Sequence, residues 1–227
     1  VFTPTDVYPA KAISGGECIL EIGDVNGDGL NDVVLGGGHF NQALSIYLQT
    51  NSGGLQYSRD IGVPSYLQSV ALGDFTGDGR IDIAAPLTYN RPGSYIVIFA
   101  QDSTGNLPDV PEFYETYEVP ENIVTGDFDL DGRMDLAVTS WGWHKLMIHR
   151  QNAMGQFDPY LLFGIYFGSD LGNRGLTAGD INGDGLPDIA MVGWYGGLTT
   201  IINQTNITTD VVETHEIPKE FALFQNY

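Results

Sequence analysis

The chain repeats one acidic decapeptide four times, and that repetition restricts it to an array built from a single supersecondary unit. The copies are Gly23 to Asp32 (GDVNGDGLND), Gly73 to Asp82 (GDFTGDGRID), Gly126 to Asp135 (GDFDLDGRMD) and Gly179 to Asp188 (GDINGDGLPD). Their leading aspartates, Asp24, Asp74, Asp127 and Asp180, are spaced by 50, 53 and 53 residues. Short apolar runs flank every copy, Ile19 to Ile22, Ser69 to Leu72, Ile123 to Thr125 and Leu176 to Ala178 before it, and Val33, Ile83, Leu136 and Ile189 opening those after it. The later runs break within a few residues, which suits strands and excludes an amphipathic helix.

Each copy reads D-x-[N/T/D]-x-D-G-x-x-D. Several oxygen donors converging from a sharply turned backbone are what a hard divalent cation needs, and Gly29, Gly79, Gly132 and Gly185 supply the turn. By analogy with the EF-hand loop, the first, third, fifth and ninth side chains coordinate and the seventh residue lends its carbonyl. The expected metal positions are therefore Asp24, Asn26, Asp28, Leu30 and Asp32; Asp74, Thr76, Asp78, Arg80 and Asp82; Asp127, Asp129, Asp131, Arg133 and Asp135; and Asp180, Asn182, Asp184, Leu186 and Asp188. Oxygen-only ligation favours Ca²⁺, up to four ions, over zinc, copper or magnesium. The third loop, with four aspartates, is predicted to bind most tightly, and the second, with Thr76, most weakly.

A third apolar run follows in each repeat (Ala43 to Gln49, Ser94 to Ala100, Lys145 to Arg150, Leu198 to Asn203), and then a more polar, alternating one (Gln56 to Ile61, Phe113 to Val119, Phe157 to Phe163). Inner strands apolar on both faces beside an alternating outer strand describe a four-stranded propeller blade. With the acidic loops, these runs make residues 19 to 203 resemble the FG-GAP or VCBS repeat family of integrin α-subunit heads, some fungal lectins and many secreted bacterial proteins. The fold class implied is all-β: a β-propeller of four four-stranded blades with a calcium loop between the first two strands of each.

A blade cannot bury both faces alone, so the blades must close a ring or stack on something else. Residues 1–209 are read as the propeller, and Phe2 to Tyr8 occupies the place of an outer strand that would complete the last blade and close the ring. Otherwise the chain is an arc of a larger ring finished by further sequence or another subunit. Residues 210–227 are read as an outer strand or a linker to a C-terminal sorting domain. Within them, Ile217 to Tyr227 (IPKEFALFQNY) resembles the lead-in to a type IX secretion sorting domain, which implies export to the bacterial cell surface or beyond it.

Composition sharpens the functional classes. The net charge is -20, and thirteen of the 29 acidic residues are loop aspartates. Such a surface repels nucleic acid and anionic membranes. No run approaches the length of a membrane-spanning helix, so no membrane insertion is expected. Acidic loops of this kind fill at extracellular rather than cytosolic calcium levels, again placing the protein outside the cell.

The turn after the second strand carries aromatics in every repeat: His39 and Phe40, Tyr89, Trp141 and Trp143, Trp194 and Tyr195. Gathered at the end opposite the metal loops, they would form a platform for a glycan or a protein ligand, or would wedge between blades as packing. Catalytic signatures are missing: the four histidines lack metal-ligand spacing, His144 and His149 flank a strand and are expected on its surface, and neither G-x-S-x-G nor H-E-x-x-H occurs. The chain is thus not expected to be an enzyme, although calcium-rich propellers among polysaccharide lyases supply a fold analogy. The sequence favours a binding or adhesion module, with a filament or surface-layer subunit that pairs with copies of itself as the alternative.

Overall fold

Two apolar runs separated by a tight, glycine-bearing acidic loop can pair only as an antiparallel hairpin, and this local event is repeated four times in the computed structural model. The structure describes residues 7–8, 18–37, 42–65, 67–88, 94–140, 144–165, 175–193 and 197–205. Four antiparallel sheets result. Sheet 1 runs β1 (Cys18–Gly23), β2 (Asp32–Gly37), β3 (Ala43–Gln49), β4 (Leu55–Gly62). Sheet 2 runs β5 (Ala71–Gly73), β6 (Asp82–Leu87), β7 (Tyr95–Phe99), β8 (Glu112–Glu115), and sheet 3 runs β9 (Pro120–Gly126), β10 (Asp135–Ser140), β11 (Lys145–His149), β12 (Leu161–Gly164). Sheet 4 has three described strands, β13 (Leu176–Gly179), β14 (Asp188–Gly193) and β15 (Gly197–Ile201). Its expected outer strand in 210–227 lies outside the described residues, as do residues 2–6 of the proposed closing strand; Tyr8 is described, and its hydroxyl accepts the Leu55 N–H at 3.0 Å.

The register repeats with the sequence. The loop's first glycine pairs with its last aspartate in every sheet: Gly23 with Asp32, Gly73 with Asp82, Gly126 with Asp135 and Gly179 with Asp188. Period-2 alternation then sends the two faces of each inner strand to different neighbours. In sheet 2, Ile83, Ala85, Val97 and Phe99 join a core with Val34, Leu44 and Ile46 of sheet 1. The intervening Ala84, Ile96 and Ile98 join another with Leu136, Val138 and Met147 of sheet 3. Ala137, Leu146 and Ile148 then meet Ile189, Met191 and Ile201 of sheet 4. Burial on both faces is why these strands lack a polar alternation, and each fully buried Leu or Ile contributes about 1.5–3 kcal/mol to the array.

Three expectations change; in one, the run Phe157 to Phe163 forms a strand only from Leu161, in β12, while Phe157 makes an isolated bridge with Gln151. The run Phe113 to Val119 does not continue as one strand: β8 ends at Glu115, Val119 takes a positive φ of 49°, and Pro120 opens β9. The chain spends those residues turning from the outer edge of one sheet to the inner edge of the next. His149, expected at the surface, is 1% exposed. Its Nε2 lies 3.0 Å from the Thr116 hydroxyl, and Phe157 and Tyr160 stand against its ring. Burial pushes its pKa down to about 3, so the imidazole is neutral at ordinary pH. Among the described residues no helix is long and apolar enough to cross a membrane.

Candidate functional site

Each acidic loop is wound around its first aspartate. Asp24 Oδ1 accepts the N–H groups of Gly27 (2.7 Å) and Asp28 (3.1 Å), and its Oδ2 accepts that of Gly29 (2.8 Å). Asp74 repeats all three bonds with Gly77, Asp78 and Gly79. Asp180 binds Gly183 and Gly185, and these bonds hold its carboxyl below the usual carboxylate range. The fourth loop position is left-handed in every copy. Gly27, Gly77 and Gly183 accept this freely, but the third loop places Leu130 there at φ 59°.

The ninth aspartate anchors the loop to its sheet. Asp32, Asp82, Asp135 and Asp188 are fully buried. One oxygen of each accepts the N–H of the residue after the leading aspartate (Val25, Phe75, Phe128, Ile181). The other accepts an N–H at the end of the third strand (Gln49, Gln101, Gln151, Asn203). Burial raises the pKa of the Asp32 carboxyl, pushes that of Asp82 up to about 6 and, with the charges of Asp129 and Asp131 adding to it, that of Asp135 up to about 7.

In the third loop, one oxygen from each of Asp127, Asp129 and Asp135 lies within 4.8 Å of the others. Asp129 Oδ1 is buried and has no hydrogen-bond partner. Burial raises the Asp129 pKa, as do its acidic neighbours, while Arg150 opposes them from 3.6 Å. A divalent cation fits this donor set: it would neutralise three converging carboxylates and satisfy the orphaned oxygen. Asn26, Thr76 and Asn182 hold the Asp129 position in the sequences of the other loops, and the Oδ1 atoms of Asn26 and Asn182 accept the N–H groups of Asp28 and Asp184 at 2.9 Å.

Some functional residues escape the motif. Arg80 and Arg133 were read only for their carbonyls, yet their guanidinium groups pair with Asp78 and Asp131, and each Nε donates to a carbonyl at 2.9 Å, of Gln101 and Gln151 respectively. They offset part of the loop charge and brace the loop against the third strand. The amide side chains at the end of that strand cross between sheets. Gln101 Nε2 donates to Asp24 O and Gln151 Nε2 to Asp74 O, each at 3.1 Å, and Asn203 Nδ2 donates to Phe128 O at 2.8 Å. An amide at a fixed place after the third apolar run was the available signal.

The next turn reinforces the same junction. Gly105 (φ 80°) and Gly155 (φ 70°) approach so closely that a Cβ on either would sit 1.9 Å from a carbonyl of the preceding loop, Asn26 O and Thr76 O. Between the second and third loops runs a groove of about 550 Å³, lined by Asp74, Thr76, Asp127, Arg133, Gln151 and Met154. The aromatic positions His39, Phe40, Tyr89, Trp141, Trp143, Trp194 and Tyr195 all lie outside the described residues.

The model of the FG-GAP-like repeat matches residues 24–85 and 127–191, more than half of the chain, and both matched stretches begin at a leading aspartate. The chain belongs to the FG-GAP-like repeat family. Among solved structures, BBS1N in complex with ARL6DN superposes with a TM-score of 0.54 at 14% identity, over 81% of this chain and 53% of that one. This likeness shows a β-propeller-like fold, and the chain spans about half the length of that neighbour. No curated protein matches the chain.

Proposed function

We propose that this FG-GAP-like chain is an extracellular, calcium-stapled binding module. The convergence of Asp127, Asp129 and Asp135 around an unsatisfied buried oxygen carries the calcium part. Asp127, Asp129, Asp131 and Asp135, with the Arg133 carbonyl, would hold the ion in the third loop, and the matching positions would hold it in the others. Calcium here is architectural. It neutralises loops that otherwise repel themselves, and its binding energy adds to folding.

A glycan or protein ligand on the aromatic-bearing turns is supported by the residue types there, and a protein ligand also by the neighbour of like fold, which is complexed with ARL6DN. Export is supported by the type IX-like tail and by the acidic loops. Melting in millimolar calcium and in excess EGTA, with wild type and Asp129→Asn, tests the staple. Chelation should lower the Tm sharply in the wild type and less in the variant, and equal melts in both media would refute it. A glycan array with Trp143→Ala and Trp194→Ala tests the platform: lost binding at an unchanged Tm supports a ligand site, and a fallen Tm supports packing.

A further inference from the structure

One amide residue touches two acidic loops at once at each of three junctions. Gln101 is buried just beyond β7; its N–H donates to Asp82 Oδ1 at 2.8 Å, and its carbonyl accepts Arg80 Nε at 2.9 Å. Those partners stand at the ninth and seventh places of the second loop, from which a carboxylate and a carbonyl would reach the metal. The Gln101 side chain reaches the first loop instead, where Nε2 donates to Asp24 O across 77 positions of sequence. Gln151 joins the second and third loops in the same way, through Asp74 O on one side and Asp135 Oδ1 and Arg133 Nε on the other. Asn203 joins the third and fourth, its N–H on Asp188 Oδ1 at 2.7 Å and its Nδ2 on Phe128 O. The shorter amide meets a carbonyl one residue further along the loop.

These bonds fall on the stretch of loop that carries ligands. Asp24 and Asn26 hold the first and third places, and the backbone between them is fixed from two sides. Its own sheet holds the Val25 N–H through Asp32 Oδ2 at 3.1 Å, and the next sheet holds Asp24 O through Gln101 and backs Asn26 O with Gly105. The Gln101 Oε1 is buried without a hydrogen-bond partner, 3.1 Å from where a Cβ on Gly27 would lie. A buried amide with one unsatisfied oxygen forfeits stability, so packing alone does not account for glutamine at this place. What the side chain secures is the position of the Asp24 peptide.

We propose that Gln101, Gln151 and Asn203 are positioning residues that couple neighbouring calcium loops, so that an ion held in one loop raises the affinity of the next. The inference rests on the calcium reading given above. A loop whose ligand-bearing backbone is held before the ion arrives has less freedom to lose on binding it. An ion that orders the first loop fixes Asp24 O and with it Gln101, whose N–H and carbonyl hold the ninth and seventh places of the second loop. The second ion then meets a loop already ordered, which is the condition for positive coupling, and the coupling is reciprocal. Charge does not reverse the sign. The three aspartates of the first loop outweigh one divalent cation, and those of the second loop together with Arg80 just balance one, so loaded neighbours do not repel as cations.

Amide NMR of the full chain reads the loops separately, because Gly29, Gly79, Gly132 and Gly185 stand at their sixth places and bond through N–H to the leading aspartates. Calcium, buffered with EGTA, is titrated into wild type, Gln101→Met, Asp28→Asn and the double variant. Gln101→Met keeps the bulk of the side chain and removes its donor, and Asp28→Asn disables the first loop; urea unfolding in EGTA verifies that each variant folds. In Gln101→Met, Gly29 should titrate at calcium concentrations at least about fivefold higher than in wild type. Asp28→Asn should shift the Gly79 midpoint upward by a similar factor when Gln101 is present, and should have no such effect in the double variant relative to Gln101→Met. Gln151→Met repeats the comparison at the next junction, with Gly79 reporting the second loop. A merely structural amide lowers stability equally with and without calcium and leaves these midpoints in place. Unchanged midpoints at Gly29 in Gln101→Met and at Gly79 in Gln151→Met would therefore overturn the proposal, as would a Gly79 midpoint indifferent to Asp28→Asn. Wild-type glycine amides that ignore millimolar calcium would overturn the calcium reading itself, and this inference with it.

Discussion

Three glycines in equivalent left-handed turns differ in only one respect, and substituting each by alanine isolates it. Gly53, Gly105 and Gly155 have φ of 88°, 80° and 70°, so an added Cβ costs each about 1–2 kcal/mol of backbone strain. At Gly53 the new methyl meets nothing within 4 Å, whereas at Gly105 and Gly155 it would lie 1.9 Å from a carbonyl oxygen of the preceding loop. An ordinary contact would require the turn to retreat by about 1.5 Å, which strains the Gln101 and Gln151 clasps and adds overpacking of about 1–3 kcal/mol. Urea unfolding at sub-micromolar protein should therefore place Gly53→Ala at about 1–2 kcal/mol of destabilisation and the other two at about 2–5 kcal/mol. At about 2–4 °C per kcal/mol in a chain of this size, melting should separate the variants visibly. Equal losses at all three positions would refute close approach as the reason for these glycines.

Other consequences follow from individual residues. Leu130→Gly removes a left-handed leucine and should stabilise the protein by about 0.5–1 kcal/mol after the entropic cost of glycine, read as a rise in the urea midpoint at constant slope. Buried His149 keeps a folded pKa of about 3 against an unfolded value near 6.5. The unfolded chain binds the extra proton between those values, so stability should fall as pH drops through that window, by up to about 1.4 kcal/mol per unit. His149→Gln should flatten that limb. Asp135 behaves oppositely in the metal-free protein: its folded pKa is raised to about 7, so acidification toward pH 4 favours the folded, protonated carboxyl. Calcium needs the carboxylate, so calorimetry should show proton release on binding and roughly tenfold weaker affinity for the third loop at pH 5.5 than at pH 7.5.

The period and the loop pattern made most of the fold legible, because glycine and aspartate at fixed places report local backbone needs that do not depend on distant partners. Strand type was readable for the same reason: apolar residues at every position left only a strand buried on both faces. Boundaries failed where tertiary demands prevailed. Phe113 to Val119 alternates well enough to be a longer strand, but the path to β9 ends β8 at Glu115. His149 reads as superficial because it flanks a strand, yet its pairing with Leu136 places it inside. The crossing amides Gln101, Gln151 and Asn203 could not be assigned without knowing which loop lay opposite. Arg80 and Arg133 were seen as carbonyl donors because the motif ignores their side chains. Ring closure by Phe2 to Tyr8 falls on residues of which only 7–8 are described.

Direct counting of bound calcium bears most immediately on the account. Equilibrium dialysis of the EDTA-stripped chain against calcium at pH 7.5, followed by metal analysis, should give up to four ions per chain. Occupancy of the third loop should come first and be reduced by Asp129→Asn, and that of the second loop should come last. Absence of bound calcium at millimolar concentration, with an unchanged melt after thorough chelation, would contradict it.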